Sequence, residues 1–279
     1  MTQTVYLNGE FLPIEEARVP VLDRGFIFGD GIYEVVPVYG GRLFRWPNHL
    51  ARLKRSLAAI GISNPLDDDA WTDLVRQLVA RHSWADQFVY MQVTRGVARR
   101  DHAFPQNVAP TVFAMVSELV PPPALVEQGL AVVTALDERW LHCDIKSTSL
   151  LGNVLARQAA VQAGAAECVM FRDGFLTEGS ASNIWVVRGG RLFGPPKDNL
   201  VLEGIRYGLI AELCERAGIE LQLRRVLREE VLAADELLLS SATKEVLPVT
   251  RIDGRPVGNG KPGPVFAKLY AAYQQAKAA

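Results

Sequence analysis

Arg139-Trp140-Leu141-His142-Cys143-Asp144-Ile145-Lys146-Ser147, followed by Leu150-Leu151-Gly152-Asn153, is the least ordinary stretch of the chain. Lysine is scarce: Lys54, Lys146, Lys197, Lys244, Lys261, Lys268 and Lys277 are the only ones among 30 Lys and Arg residues, so each can be judged by its neighbours. Lys54 falls on the polar side of a predicted helix, Lys197 and Lys261 lie in Gly/Pro loops, and Lys268 and Lys277 belong to a C-terminal helix. These read as solvated charges. Lys146 differs, because Trp140, Leu141, Cys143 and Ile145 precede it. Apolar surroundings disfavour the charged form of an amine, lower its pKa and suit it to nucleophilic or Schiff-base chemistry. A half-buried ion pair with Asp144 is the other reading these residues allow. Lys244 also stands apart, after the small-residue run Ser240-Ser241-Ala242-Thr243.

Outward from this stretch, the apolar run Leu130 to Leu136 predicts a strand before it, and a helix from about Asn153 to Ala163, ended by Gly164, follows it. Hairpins then turn at Asp173-Gly174 and Gly189-Gly190, and a helix over Ile205 to Ala217 ends at Gly218. Strands are expected near Glu220 to Leu223, Glu236 to Ser240 and Val246 to Ile252, with a turn at Asp253-Gly254 and a last helix from about Val265. Towards the N-terminus, Val120-Pro121-Pro122-Pro123 removes successive backbone donors and fixes φ, which marks a boundary. The expected organisation is a first domain over 1–119, a linker over 120–124, and a second domain over 125–279 that carries Lys146.

The first domain opens with a hairpin at Asn8-Gly9, and a second runs from Val35 to Tyr39 through Gly40-Gly41 to Phe44. Leu50, Leu53, Leu57 and Ile60 recur at helical spacing, as do Trp71, Leu74, Val75 and Leu78, and strands follow over Phe88 to Thr94 and Thr111 to Val116. Frequent hairpins among alternating strands and helices predict an α/β fold with mixed α+β sheets, not an all-parallel one.

Several chemistries are excluded by their missing parts. A net charge of -1 offers no field for drawing in a polyanion, so nucleic acid is not expected as a partner. Cys143, Cys168 and Cys214 are an odd set without C-x-x-C spacing, and His49, His82, His102 and His142 lack metal-ligand spacing, so neither a disulfide framework nor a metal site is expected. No apolar run approaches the ~18 residues of a membrane helix, and the N-terminus lacks a basic start before an apolar run. The chain reads as soluble and cytoplasmic. Gly29-Asp30-Gly31 is a fragment of a dinucleotide loop, but the third glycine is absent and a strand follows.

Five segments together carry a likeness. Asp23-Arg24-Gly25 with Phe28-Gly29-Asp30-Gly31-Ile32-Tyr33-Glu34, His49-Leu50-Ala51-Arg52-Leu53, Asp144-Ile145-Lys146-Ser147, Thr177-Glu178-Gly179-Ser180-Ala181-Ser182-Asn183 and Leu202-Glu203-Gly204-Ile205 resemble the class IV, or fold type IV, pyridoxal-phosphate-dependent aminotransferases. They occur in the family's order from about residue 5 to 270. Arg139-Trp140-Leu141 and Arg100-Asp101-His102 resemble most the members that act on D-amino acids.

The resemblance implies a two-domain fold with the active site between the domains. It makes Lys146 the Schiff-base lysine and Glu178 the acid facing the pyridine nitrogen; without it, Glu178 reads as a surface acid at a hairpin end. Arg52, otherwise one of several helix-surface arginines, resembles the phosphate-binding arginine. Ile205 and Arg206 take the place of a helix N-terminal turn facing the phosphate, and Ser241, Ala242 and Thr243 a second phosphate-side segment. A threonine is common in the family where Arg206 stands, and Arg206 cannot replace its hydroxyl. Tyr33, Arg100 and His102 resemble the residues that bind the substrate's α-carboxylate, on a loop that in relatives reaches into the neighbouring subunit of a homodimer. The implied activity is transfer of an amino group from a D-α-amino acid to a 2-oxo acid in a ping-pong cycle, with no metal and no nucleic-acid or membrane partner. Aminodeoxychorismate lyases, branched-chain L-amino acid transaminases and (R)-amine transaminases share the fold and are the alternatives.

Overall fold

The computed structural model describes residues 3–120 and 123–278, which form two compact units: the first runs to Val120 and includes Ile145–Leu150, and the second takes in the rest. In the first unit β1 (Thr4–Leu7) and β2 (Glu10–Pro13) make the opening hairpin, with φ of 48° at Asn8 and 104° at Gly9, as a two-residue turn between twisted strands demands. A short helix α1 (Arg24–Phe28) leads to β3 (Gly31–Tyr39), β4 (Arg42–Leu43), α2 (Trp46–Ala59), α3 (Asp68–Ala80), β5 (Asp86–Thr94) and β6 (Thr111–Glu118). The strands form one sheet in the order β2-β1-β6-β5-β3-β4, antiparallel at every pairing. A mixed sheet is therefore absent from this unit, because hairpins make most of its connections.

Leu53 and Leu57 of α2 and Trp71, Val75 and Leu78 of α3 share a core with Val36, Val89, Met91 and Val116 of the sheet. Each such side chain contributes about 1.5 to 3 kcal/mol by leaving water. Helix α2 also buries His49, Arg52 and Ser56, three and four residues apart along one flank of its apolar stripe. One side of this helix is thus an internal polar surface.

The second unit comprises α4 (Pro123–Gln128), β7 (Leu130–Leu136), α5 (Leu151–Gln162), β8 (Glu167–Arg172), β9 (Phe175–Gly179), β10 (Asn183–Arg188), β11 (Arg191–Gly194), α6 (Ile205–Ala217), β12 (Leu221–Leu223), α7 (Arg228–Leu232), β13 (Glu236–Ser241), β14 (Glu245–Ile252), β15 (Arg255–Pro256) and α8 (Pro264–Ala278). Its sheet follows the order β12-β11-β10-β13-β14-β7-β8-β9, with β15 on β14. It is mixed, as expected: β11 with β12, β14 with β7 and β7 with β8 run parallel, the other pairs antiparallel. Alternation along β8 sends Val169 and Phe171 into the main core and Cys168 and Met170 towards Ala160 of α5. Cys143, Cys168 and Cys214 are free and buried, and burial pushes their thiols up to about 11, 11 and 12. Among the described residues no helix is long and apolar enough to cross a membrane.

Three expectations need correction. The linker expected over 120–124 overlaps α4, which starts at Pro123: proline suits a first helical position, where its missing N–H has no partner to lose. Pro121 and Pro122 lie outside the described residues. Helix α5 begins at Leu151, two residues before Asn153. Finally, Lys146 belongs to the first unit and not to the second, because its segment is built onto the start of β3. Ser147 bridges Ile32, Tyr33 N donates to Lys146 O at 2.9 Å, and Thr148 N donates to Gly31 O at 3.0 Å. The hydroxyls of Thr148 and Ser149 both donate to Gly29 O, at 2.8 and 3.0 Å.

Candidate active site

Within the first unit, β3 aligns the side chains around Lys146. The half-buried Nζ lies 4.1 Å from the centroid of the Tyr33 ring, and Lys146 N donates to Ser56 Oγ of α2 at 3.3 Å. Among the described residues no carboxylate is ion-paired with Nζ, so the ion pair with Asp144 does not form. Tyr33 in turn stacks on Tyr90, 5.6 Å between centroids. Tyr90 donates to Gln92 at 2.7 Å, and burial, then the neighbouring Tyr33, push its phenol up to about 12.

Arg52 is buried and not a surface arginine. Its Nε and Nη2 meet the two oxygens of Glu34 at 2.6 and 2.9 Å, and His49 Nδ1 lies 2.9 Å from the same carboxylate. Burial alone would raise the Glu34 carboxyl, but the charge and hydrogen bonds of Arg52, with His49, hold it well below the usual carboxylate range. The guanidinium is thereby fixed in direction.

Arg100 and His102 are exposed on the loop after β5, and the structure brings them together on one ring: Arg100 Cζ is 5.3 Å and the His102 ring 5.4 Å from the centroid of Phe28. Among the described residues neither makes a hydrogen bond or ring contact with Tyr33 or Lys146.

In the second unit Glu178 lies near the end of β9 in a buried position, which removes the surface reading. Arg139 Nη1 donates to its Oε1, and Asn183 Nδ2 and Leu202 N donate to Oε2, each at 3.2 Å. The same guanidinium grips Asp137 through Nε at 2.9 Å and Nη2 at 2.8 Å. One positive charge therefore serves two acids. Burial pushes Glu178 up, to about 7, with Arg139 opposing; Asp137, where Arg139 overcomes burial, falls to about 2.

Asn183 links this acid to the N-terminus of α6. Gly204 is its N-cap, and a Cβ there would collide with Asn183 Oδ1, so only glycine lets the chain enter the helix beside Asn183. No side chain caps this terminus, which leaves first-turn N–H groups at Ile205 and Arg206 for an anion. The Arg206 side chain is buried: its Nη2 donates to Ala242 O at 3.1 Å and its Cζ lies 5.2 Å from the Tyr273 ring centroid. It thus ties the helix start to the Ser241-Ala242-Thr243 segment. Lys244 pairs with the fully buried Glu167 at 3.5 Å. Glu167 also accepts from Ser180 and from Ser182 Oγ, at 3.0 Å for the latter, and so pins the loop between Glu178 and Asn183.

Sequence reasoning missed Arg139, Asn183 and Glu167 as partners of the site. Arg139 and Asn183 stood in the family motifs without a role; a signal was available for Asn183, which begins the strand after the Glu178 hairpin. Nothing marked Glu167. Among the described residues no group of three or more His, Cys, Asp or Glu could hold a metal ion.

The first unit thus holds an amine beside an aromatic ring, and the second a buried acid and a helix N-terminus without a side-chain cap. The family described as amino-transferase class IV matches residues 31–252, and the chain belongs to it. It is 39% identical over 270 residues to a D-alanine aminotransferase of Bacillus licheniformis, covering 97% of this chain and 95% of that one. It is 39% identical over 274 residues to the D-alanine aminotransferase of Staphylococcus aureus (strain MSSA476), covering 98% and 97%. The solved structure of a T.th. branched-chain amino acid aminotransferase with pyridoxamine 5'-phosphate superposes with a TM-score of 0.93 at 25% identity over 99% of this chain and 94% of that one. The branched-chain aminotransferase of Thermoproteus uzoniensis with norvaline gives 0.90 at 26% identity over the same shares.

Proposed function

We propose that this aminotransferase takes the amino group of a D-α-amino acid, such as D-alanine or D-glutamate, and passes it to a 2-oxo acid such as pyruvate or 2-oxoglutarate in a ping-pong cycle, with pyridoxal 5'-phosphate as cofactor. The observation that carries the D-specific reading is 39% identity to D-alanine aminotransferases over nearly the whole chain. The structural neighbours named for branched-chain substrates are less similar, at 25% and 26%. The chain works as a homodimer in the cytoplasm.

When bound, the cofactor supplies an electron sink for ionisation of the substrate's Cα–H bond. Lys146 Nζ would anchor the cofactor covalently and move the proton released at the substrate's Cα; the Tyr33 ring beside it holds the amine in place. Glu178, as a carboxylate, would keep a proton at the pyridine nitrogen. Arg139 and Asn183 fix its two oxygens. Backbone N–H groups of Ile205 and Arg206, with Ser241, Ala242 and Thr243, bind the phosphate, and Arg52 adds a buried cation. Tyr33, Arg100 and His102 bind the α-carboxylate.

The test is one panel of donors on the purified holoenzyme: D-alanine, D-glutamate, L-alanine, L-leucine and (R)-1-phenylethylamine, each with pyruvate or 2-oxoglutarate. A D-amino acid should lead the L-donors in kcat/KM by roughly a hundredfold or more. Preference for L-leucine would move the chain to the branched-chain type. Pyruvate release from aminodeoxychorismate without an acceptor would make it a lyase.

A further inference from the structure

Gly29-Asp30-Gly31 lacks the third glycine of a dinucleotide loop, yet its acid takes three hydrogen bonds from two arginines. Asp30 Oδ2 accepts from Arg24 Nε at 2.7 Å and from Arg95 Nε at 2.8 Å, and Oδ1 accepts from Arg95 Nη2 at 3.0 Å. All three side chains are largely buried, with 13% of Asp30, 4% of Arg24 and 8% of Arg95 exposed. Burial would raise the Asp30 carboxyl, but Arg95 and then Arg24 hold it below the ordinary value, so it is charged at neutral pH.

Each guanidinium then reaches from the acid to backbone carbonyls. Arg24 Nη1 donates to Asp101 O and Nη2 to His102 O, the latter at 3.5 Å. Arg95 Nη1 and Nη2 donate to Gly61 O and Ile60 O at the end of α2, at 3.0 and 2.7 Å, and its Cζ lies 3.6 Å from the Phe104 ring centroid. The two carbonyls held by Arg24 belong to Asp101 and His102, in the loop that carries Arg100. Arg24 Cζ also lies 4.8 Å from the centroid of Phe28, the ring on which Arg100 and His102 meet.

We propose that Asp30 is a positioning residue for substrate binding: through the buried Arg24 and Arg95 it fixes the loop from Arg100 to Phe104 and so the direction in which Arg100 and His102 present their donors. The same three-residue segment receives the Lys146 segment through Gly29 O and Gly31 O. Its carbonyls hold the lysine and its side chain holds the carboxylate loop, so the two functions are separable by mutation. The proposal rests on the reading of Arg100 and His102 as the carboxylate site.

Steady-state kinetics with D-alanine on cofactor-saturated wild type, Asp30→Asn, Arg100→Ala and the double variant test it. Asp30→Asn leaves two buried guanidinium groups sharing a neutral amide, which frees the loop. KM should rise about tenfold or more while kcat changes by less than about threefold, and the KM of the double variant should fall short of the product of the two single effects, since Arg100 is one of the two donors through which Asp30 acts. An unchanged KM in Asp30→Asn beside a raised KM in Arg100→Ala would overturn the proposal and leave the carboxylate reading intact. An unchanged KM in Arg100→Ala would instead sink that reading. Effects that multiply in the double variant would show that Asp30 acts independently of Arg100, which also overturns the proposal. If Asp30→Asn fails to fold, Arg24→Met removes the donors to Asp101 O and His102 O at similar volume, and the same pattern of KM against kcat is required of it.

Discussion

Glu178 and Asp137 compete for one guanidinium, and the competition sets their opposite protonation. Asp137 has two of the Arg139 nitrogens, with Arg172 Nη2 3.1 Å from its Oδ1, and stays charged; Glu178 has one, and burial pushes it up to about 7. In cofactor-free protein the unfolded carboxyl releases its proton near its ordinary value of 4.5 while the folded one keeps it until about 7. Between those values the folded state binds more protons, so stability falls as pH rises through the window. Glu178→Gln removes this dependence, and urea melts of the two apo proteins between pH 4.5 and 7 should show wild type losing stability relative to the variant. In the holoenzyme the same variant should lower kcat by two or more orders of magnitude, at least ~2.7 kcal/mol, while the cofactor still binds. Parallel pH profiles, or near wild-type turnover at full cofactor occupancy, would contradict the role. Lys146 stood out in the sequence because lysine is scarce and its neighbours apolar. The burial of Glu178 was not readable from its neighbours, since a hairpin-end acid looks solvated until Asn183 of β10 and the Leu202 backbone are known to close around it. Arg139 was unreadable as its partner because the pairing joins residues 39 apart in sequence.

Helix α8 shows how one element holds another in place without touching substrate. Its first N–H groups, which have no partner inside the helix, are capped from a strand: Val265 N donates to Glu236 Oε1 and Phe266 N to Oε2, both at 2.9 Å. Farther along, Tyr273 lies against Arg206, while Gln274 and Lys277 reach Glu245 at 2.8 and 2.7 Å, at the far side of the Ser241 to Thr243 turn. Glu236→Ala should cost about 2 kcal/mol in urea denaturation, because two charge-assisted bonds to a helix N-terminus are lost together, and Glu236→Gln should cost less by keeping one acceptor. Equal stability of wild type and Glu236→Ala would deny the cap its role. Elements such as α2, α3 and α6 were legible because apolar spacing and a terminal glycine or acidic start agree over several turns. The caps, and the short helices α1, α4 and α7, were not: they are fixed by partners far away in the chain or are too brief to show a period.

At the scale of the whole molecule, the three residues proposed for the α-carboxylate divide. Tyr33 lies with Lys146, whereas Arg100 and His102 gather on Phe28 and are exposed. Their loop and the stretch around α1 also expose Val21, Phe26 and Phe104, at 72%, 76% and 60%, more apolar surface than a solvated loop requires. The proposed homodimer, with the loop of one copy completing the site of the other, would account for both facts, and it makes a quantitative demand. Lys146→Ala removes the anchor and Arg100→Ala the carboxylate donor, so each homodimer is nearly inactive at D-alanine concentrations well below KM. In a mixed dimer one site draws its lysine and its arginine from the two unaltered positions and is complete, while the other lacks both. Random mixing makes half of the dimers mixed, each with half of its sites complete, so co-refolded protein should regain about a quarter of wild-type activity. Protomers that each build a whole site from their own residues would regain nothing, because no protomer then holds both side chains. Size measurement of the mixture must accompany the assay, since only a sample that is dimeric and has exchanged subunits can separate the two arrangements, and tagging the two variants differently allows the mixed species to be purified and its single active site to be counted.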